Sequence, residues 1–194
     1  MFYYIFLCGL ILTMGIFPAY ADEVLTTVEE AVSQYKKGDF DGAASNLDYA
    51  AQLIRQKKSE ALKEVFPDPF EGWEAEPATS QSTGTAAFGR SINVSRTYVK
   101  KPSTITIDIT SDSPVMQSLV MMLNNPVIAG AGGAKVEEFG TYKGIVHYNE
   151  ANLSGDANIV VDDRFMVTVK GQQIEREVLI KYAQAVKYVE LGKK

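Results

Sequence analysis

A Ser-His-Asp triad in this chain would have to be built around His147, because the sequence contains only one histidine. Ser154 and Asp156 lie close by in the sequence and supply the other two residue types of a Ser-His-Asp triad. His147 stands, however, in the alternating segment 144–148, where its side chain points to the opposite face from those of its two neighbours. The pattern favours a solvent-facing strand histidine over a catalytic one.

A second group of candidate residues surrounds Trp73, the only tryptophan. Glu71 and Glu74 flank this ring after a proline-rich entry, and an aromatic side chain between carboxylates on a loop is typical of a recognition surface. We therefore expect Glu71, Trp73 and Glu74 to form part of a binding site. Two alternatives stay open: Trp73 fills the core of the following domain, or the carboxylates serve a hydrolase whose site lies near the Trp73 loop.

Metal and cofactor sites are not indicated. Cys8 is the only cysteine and lies in an N-terminal segment that we expect to be removed, which excludes thiolate chemistry from the mature chain. A zinc site would rest almost wholly on carboxylates, which suit zinc poorly. Methionine is a common core filler, and we expect no cofactor. A copper(I) carrier stays open as an alternative because four methionines lie in the second half of the chain: Met116, Met121, Met122 and Met166.

The N-terminal segment carries no charged side chain over residues 1–18, and Ala19-Tyr20-Ala21 follows it. An apolar stretch before an Ala-x-Ala motif is typical of a secretory signal peptide, since signal peptidase accepts only small side chains there. We predict a signal peptide over residues 1–21 and a periplasmic or secreted protein. An uncleaved segment would suit a membrane anchor, which is the one case in which we expect contact with a membrane.

The charge balance narrows the class of partner. The chain has 19 basic and 24 acidic residues and a net charge of −5, whereas phosphate binding needs clustered lysines and arginines. Nucleic acid is therefore not expected as a partner. Removal of 21 residues from 194 leaves 173, which is enough for a domain with a substantial core and a small appendage.

Helical periodicity follows the expected cleavage site. A first helix is predicted to start at Thr26 and Thr27 and to end with Gly38 as its C-cap, and Asp39 is predicted to cap the next helix. The apolar residues of the first helix recur with helical spacing: Val28, Ala31, Val32 and Tyr35.

The second helix must end at Pro67, because proline cannot continue a helix. One face of this helix is apolar: Phe40, Ala44, Leu47, Ala51 and Ile54. We expect a helical hairpin over residues 22–66, with apolar faces too extensive for two helices to bury alone. These faces are therefore predicted to pack on the following domain or on a partner.

This hairpin resembles a single tetratricopeptide-type unit, because small residues fall at roughly the spacing that this family uses between its two helices. The residues that carry the resemblance are Ala31, Gly38, Ala43, Leu47 and Ala50. The resemblance implies a helical hairpin that packs on something else, since such repeats need about three units to bury a continuous core.

Residues 67–91 are rich in proline, serine, threonine and glycine and are predicted to form a linker and loop. An α+β domain is predicted over residues 92–194. It begins with two alternating strands joined by a turn at 100–103, and an acidic turn at Asp162-Asp163 joins its last two strands. Helices are predicted near residues 114–123 and 174–191. The fold class is α+β: an N-terminal α-helical hairpin followed by a mostly antiparallel sheet with two helices packed on it.

Residues 66–191 look like an uncharacterised family of small exported bacterial proteins and, more distantly, like the PsbP-type α+β sandwich. The residues that carry this resemblance are Gly72-Trp73, Thr97-Tyr98, Thr104 to Ile107, Phe165 and Val167. Members of that broad fold bind partners or stabilise assemblies and share no catalytic centre. The resemblance therefore implies an interaction role and no reaction.

Together these expectations describe an exported, non-enzymatic binding or interaction protein whose partner is an unknown protein or small ligand. A hydrolase near the Trp73 loop and a methionine-based metal carrier are the alternatives that the residue types leave open.

We expect the mature protein to begin at Asp22, because the Ala-x-Ala motif ends at Ala21. Intact-mass spectrometry of the protein isolated from its native host measures this directly. Recovery of a chain that still begins at Met1, in the membrane fraction, would contradict cleavage and leave the anchor interpretation.

Overall fold

The computed structural model describes residues 22–83, 91–113, 115–125, 130 and 133–193. The helices are α1 (Glu23–Lys36), α2 (Phe40–Lys63), α3 (Met116–Asn124), α4 (Arg176–Ala185) and α5 (Tyr188–Leu191). The strands are β1 (Glu74–Ala75), β2 (Thr79–Thr83), β3 (Ser91–Lys100), β4 (Ser103–Ser111), β5 (Lys135–Phe139), β6 (Tyr142–Asn149), β7 (Ser154–Val161) and β8 (Phe165–Gln172). Within these described ranges, no helix is both long and apolar enough to span a bilayer.

The chain divides into two compact units, residues 1–51 and 52–194. The division falls inside α2, earlier than the end of the expected hairpin region at residue 66. The second half of α2 belongs with the sheet because its last turns carry core residues. Leu62, Val65 and Phe66 are buried in the same apolar cluster as the sheet.

Local capping defines the hairpin formed by α1 and the first half of α2. The side chain of Asp22 accepts a hydrogen bond from the Val24 N–H at 3.0 Å, so α1 starts earlier than the predicted Thr26 and Thr27. The turn is as predicted: Gly38 has a φ of 83°, and the Asp39 side chain accepts from the Gly42 N–H at 2.9 Å.

Small side chains line the seam between the two hairpin helices. Among residues 22–51 of this unit, the buried ones are Thr27, Ala31, Ala43 and Ala50. The large apolar residues lie beside the alanine seam and stay outside it, so the two helices do not bury them, in line with the expectation that these faces are too extensive for the hairpin alone. Val32, Tyr35, Phe40, Leu47 and Ile54 are all exposed.

The sheet is antiparallel throughout, in the order β1-β3-β4-β8-β7-β6-β5, and β2 also pairs with β3. This arrangement confirms the α+β class. β1 pairs with Val99 and Tyr98, whereas β2 pairs with 91–95, so the two short strands follow one another along the same edge of β3. Part of the predicted linker is therefore sheet, while residues 84–90 lie outside the described part of the chain.

One face of the sheet forms the core. Ile105, Ile107 and Ile109 alternate along β4 and are fully buried, and their partners on β8 include Val167 and Val169. This is the alternation of a sheet with one apolar face. The predicted turn after β7 is also confirmed, because Asp162 and Asp163 both have positive φ and the Arg164 N–H donates to the Val161 carbonyl at 3.1 Å.

The C-terminal helix, predicted as one continuous element near residues 174–191, is two helices in the structure. Val186 is extended and buried, and it separates α4 from α5. The Lys187 N–H donates to the Val65 carbonyl at 3.1 Å. The break changes the helical phase, so Tyr188 and Leu191 become buried while Val189 is 72% exposed.

Helix α3 begins two residues after the expected Pro114, which itself lies outside the described residues. No side chain caps its N-terminus with a hydrogen bond. The Met116 N–H donates instead to the Ser113 carbonyl at 3.1 Å.

Substitution of two leucines tests whether the second half of α2, and not its first half, contributes to the core. We expect Leu62→Ala to lower the free energy of unfolding by about 3 kcal/mol, because a fully buried side chain leaves a cavity. The matched control Leu47→Ala removes an exposed side chain and is expected to change it by less than about 0.5 kcal/mol. Urea unfolding followed by circular dichroism measures both, and similar losses would contradict the assignment.

Candidate functional site

Trp73 lies at the edge of an aromatic cluster centred on Tyr182. The rings of Trp73 and Tyr182 meet edge to face with centroids 5.3 Å apart, and Phe70 and Tyr98 contact the same tyrosine at 4.6 and 4.8 Å. Trp73 is half-buried and packs against the core of the sheet unit. Its ring therefore serves packing.

The two carboxylates that flank Trp73 in the sequence lie on the surface. Glu71 and Glu74 are exposed, and Glu74 lies in β1 opposite Val99. The geometry joins Trp73 to the core, as the packing alternative stated.

The tyrosines beneath Trp73 are structural groups. The Tyr98 hydroxyl donates to the Pro67 carbonyl at 2.7 Å, and burial raises the pKa of Tyr98 above its ordinary value. Burial also raises the pKa of Tyr182, whose hydroxyl oxygen accepts from the Phe70 N–H at 3.4 Å. Both phenols stay protonated at neutral pH and hold the entry segment on the core.

His147 and Asp156 lie opposite each other on β6 and β7. His147 Nδ1 is 3.7 Å from Asp156 Oδ2, and the same carboxylate accepts a hydrogen bond from Asn158, which in turn accepts from Thr168. The structure thus joins two members of the nominal triad.

The third member does not complete the triad. Ser154 lines the same open depression of about 370 Å³ as His147 and Asp156. Among the hydrogen bonds of the described residues, none joins the Ser154 hydroxyl to His147. The His147 side chain is 40% exposed, so the group is a polar network on an open sheet face.

A cleft of about 480 Å³ lies beside the acidic turn, with Met116 and Val120 among its lining residues and Asp112 and Asp163 at its rim. Both carboxylates are exposed. In the part of the chain that the structure describes, no three His, Cys, Asp or Glu side chains are grouped to hold a metal ion. Of the four methionines considered for copper(I), Met116 is buried and Met121 is exposed.

The hairpin has one polar side, which two side-chain hydrogen bonds fix in place. The Asn46 amide donates to Gln34 Oε1 at 2.8 Å, and the Tyr49 hydroxyl donates to Glu23 Oε1 at 2.9 Å. Each bond links α1 to α2. With 3.6 residues per helical turn, these residues lie on one side of the alanine seam.

The other side of the hairpin is apolar. Helical spacing places residues three, four and seven positions apart on a common face of each helix. On both helices the large apolar side chains are displaced from the seam in the same rotational direction, viewed along each helix from its N-terminus. Because the two helices are antiparallel, these side chains lie on the same side of the hairpin. Tyr35 and Phe40 meet edge to face there, with ring centroids 5.5 Å apart.

We call this surface the hairpin face. Its large side chains, with their exposed fractions, are Leu25 (62%), Val32 (46%), Tyr35 (66%), Phe40 (63%) and Leu47 (52%). Sequence periodicity identifies all of these residues except Leu25 and predicts that they pack on the following domain or on a partner. The spacing of Ala31, Ala43 and Ala50, which carries the resemblance to a tetratricopeptide-type unit, indicates the small-residue seam beside the larger side chains.

Comparison with known proteins finds no matching family model, no matching curated protein and no matching solved structure.

Replacing Trp73 separates packing from recognition. We expect Trp73→Ala to lower the free energy of unfolding by about 2 kcal/mol, less than for a fully buried tryptophan because the ring is partly solvated. The control Glu71→Ala is expected to change it by less than about 0.5 kcal/mol. Chemical denaturation measures both values, and an unchanged stability for Trp73→Ala would show that the ring is not part of the core.

Proposed function

We propose that this protein is a non-enzymatic interaction protein whose hairpin face binds an amphipathic helix of a partner protein. The observation that carries the proposal is the hairpin face itself, on which five large apolar side chains are exposed together. Contiguous apolar patches on soluble proteins mark interaction sites. Two helices with an open apolar side offer a groove for a third.

The dimensions of the hairpin face suit a short helix. Leu25 and Tyr35 are ten residues apart on α1, which corresponds to about 15 Å along the helix axis at 1.5 Å per residue. A partner helix of about three turns would cover this length. Tyr35 and Phe40 supply rigid aromatic anchors of the kind that dominate binding energy at interfaces.

The enzymatic alternatives receive less support from the described residues. Trp73 packs on Tyr182, and the His147–Asp156 pair lies in an open depression without a bonded serine. Catalysis by a triad depends on a hydrogen-bonded and water-excluding arrangement. An interaction role requires neither.

We also propose that the protein acts outside the cytoplasm. The support for this is the apolar segment followed by Ala19-Tyr20-Ala21. Asp22 follows the motif directly and caps α1, so cleavage after Ala21 would leave this helix cap in place. The partner would then be another exported protein or the exposed part of a membrane protein.

Site-specific crosslinking tests the docking proposal. A photoreactive phenylalanine analogue is placed at position 47 of the full chain in the native host, and the control carries it at the exposed position 189. We expect position 47 to give adducts with one protein, at residues that follow helical spacing. The substitution Val32→Ser should reduce this yield several-fold, and Val189→Ser should not.

Four outcomes would overturn the proposal. Crosslinks from position 47 to residues 1–21 of the same chain would show that the chain covers its own hairpin face. Crosslinks to a second copy would show self-association. Identical adducts from positions 47 and 189, or no adduct specific to position 47, would show that the hairpin face is not a docking site.

A further inference from the structure

We propose that the helix bound by the hairpin face is cationic, with lysine or arginine along the edge that lies against α2. This inference rests on the proposed docking function and adds the chemistry of the partner. It follows from where the charges of the chain lie relative to the hairpin face.

The net negative charge of the chain resides in the hairpin. Residues 22–51 contain seven acidic residues and two lysines, a net charge of −5, which equals the net charge of the whole chain. Residues 52–194 contain 17 acidic and 17 basic residues and are neutral overall. The unit that exposes the hairpin face is therefore also the unit that carries the net negative charge.

Charged residues border the hairpin face unequally on its two edges. On α2, Asp41 lies three residues before Ala44 and Asp48 lies three residues before Ala51, so both acids flank the apolar row. On α1, Glu29 and Lys36 flank Val32 at comparable spacing and offset each other. The α2 edge is thus the acidic one.

This distribution of charge favours some binding partners of the hairpin face over others. A second copy would bring an equal charge of −5 against the first, and like charges across an interface disfavour association. Anionic lipid is disfavoured for the same reason. A helix with an apolar stripe and a basic edge complements both the apolar side chains and the α2 edge.

The exposed aromatic pair adds to this preference. Tyr35 and Phe40 lie at the tip of the hairpin, beside Asp39 and Asp41. A cation near the tip would meet aromatic faces as well as carboxylates, and rings attract cations through their quadrupoles. Lys36 and Lys37 at the same tip oppose this attraction, so we place the main cationic contacts along α2.

Synthetic helices test the inference with the full chain. Four 18-residue peptides are compared: amphipathic Leu/Lys, amphipathic Leu/Gln, amphipathic Leu/Glu, and a Leu/Lys peptide of the same composition without helical periodicity. Fluorescence anisotropy at about 10 mM salt gives each Kd; at this ionic strength screening is weak. We expect the Leu/Lys amphipathic peptide to bind best, the Leu/Glu peptide worst, and the non-periodic peptide weakly.

Substitutions at the α2 edge assign the charge effect to named residues. We expect Asp41→Asn/Asp48→Asn to raise the Kd of the amphipathic Leu/Lys peptide about fivefold at low salt, in line with two exposed ion pairs. The difference should vanish at about 0.5 M salt. The control Glu30→Gln/Glu190→Gln makes the same change in net charge at two residues outside α2 and should alter Kd less than twofold. Thermal unfolding checks that every variant is folded.

The outcomes separate this inference from the docking proposal. If the Leu/Glu or Leu/Gln peptide binds as tightly as Leu/Lys, docking stands and the cationic partner is wrong. If no amphipathic peptide binds, or if Val32→Ser has no effect on binding, the docking proposal itself fails. If the non-periodic peptide binds equally well, the attraction is only non-specific charge. If the protein floats with phosphatidylcholine vesicles and Val32→Ser abolishes the flotation, the hairpin face binds lipid. If the protein forms a dimer that Val32→Ser dissociates, the hairpin face binds a second copy.

Discussion

Burial of one face of the antiparallel sheet is the interaction on which the rest of the sheet unit depends. Alternate residues of β4 and β8 point into one apolar layer, and the last turns of α2 contribute Leu62 to it. The chain beyond residue 8 contains no cysteine, so no disulfide adds to this burial. The aromatic cluster around Tyr182 extends the same layer and draws Trp73 onto its edge. Residues that would otherwise be free for recognition are thereby committed to stability.

Helix α2 carries two different apolar patterns along its length. In its first half the buried residues are alanines that meet α1, while in its second half Leu62 enters the sheet core. An alanine seam stabilises a helix pair only modestly, because each methyl buries little area. The larger apolar side chains of the hairpin would stabilise it far more if they were covered. Covering these side chains would release free energy, which is the physical basis of the proposed function.

Charge and apolar surface coincide on the hairpin. A solvent-exposed apolar face without charge would favour aggregation, whereas a net charge of −5 on about 30 residues keeps like hairpins apart. The same field attracts cationic partners and raises their encounter rate at low ionic strength. In the docking that we propose, the apolar face would contribute affinity and the acidic edge would discriminate among amphipathic helices.

The sequence by itself determined the elements and the fold class. Alternation defined β3 and β4, the Gly38-Asp39 pair defined the hairpin turn, and Asp162-Asp163 defined a tight turn, because each depends on local backbone preferences. Tertiary structure alone decided which sides of these elements are covered. Helical periodicity groups Phe40, Ala44 and Leu47 on one face, but the seam with α1 runs along Ala43 and Ala50. Likewise, the break at Val186 comes from its burial, and pairing with β3 turns part of a polar stretch into strands. Burial depends on which surfaces meet, and contacts between residues distant in the sequence settle that, not the local pattern of either segment.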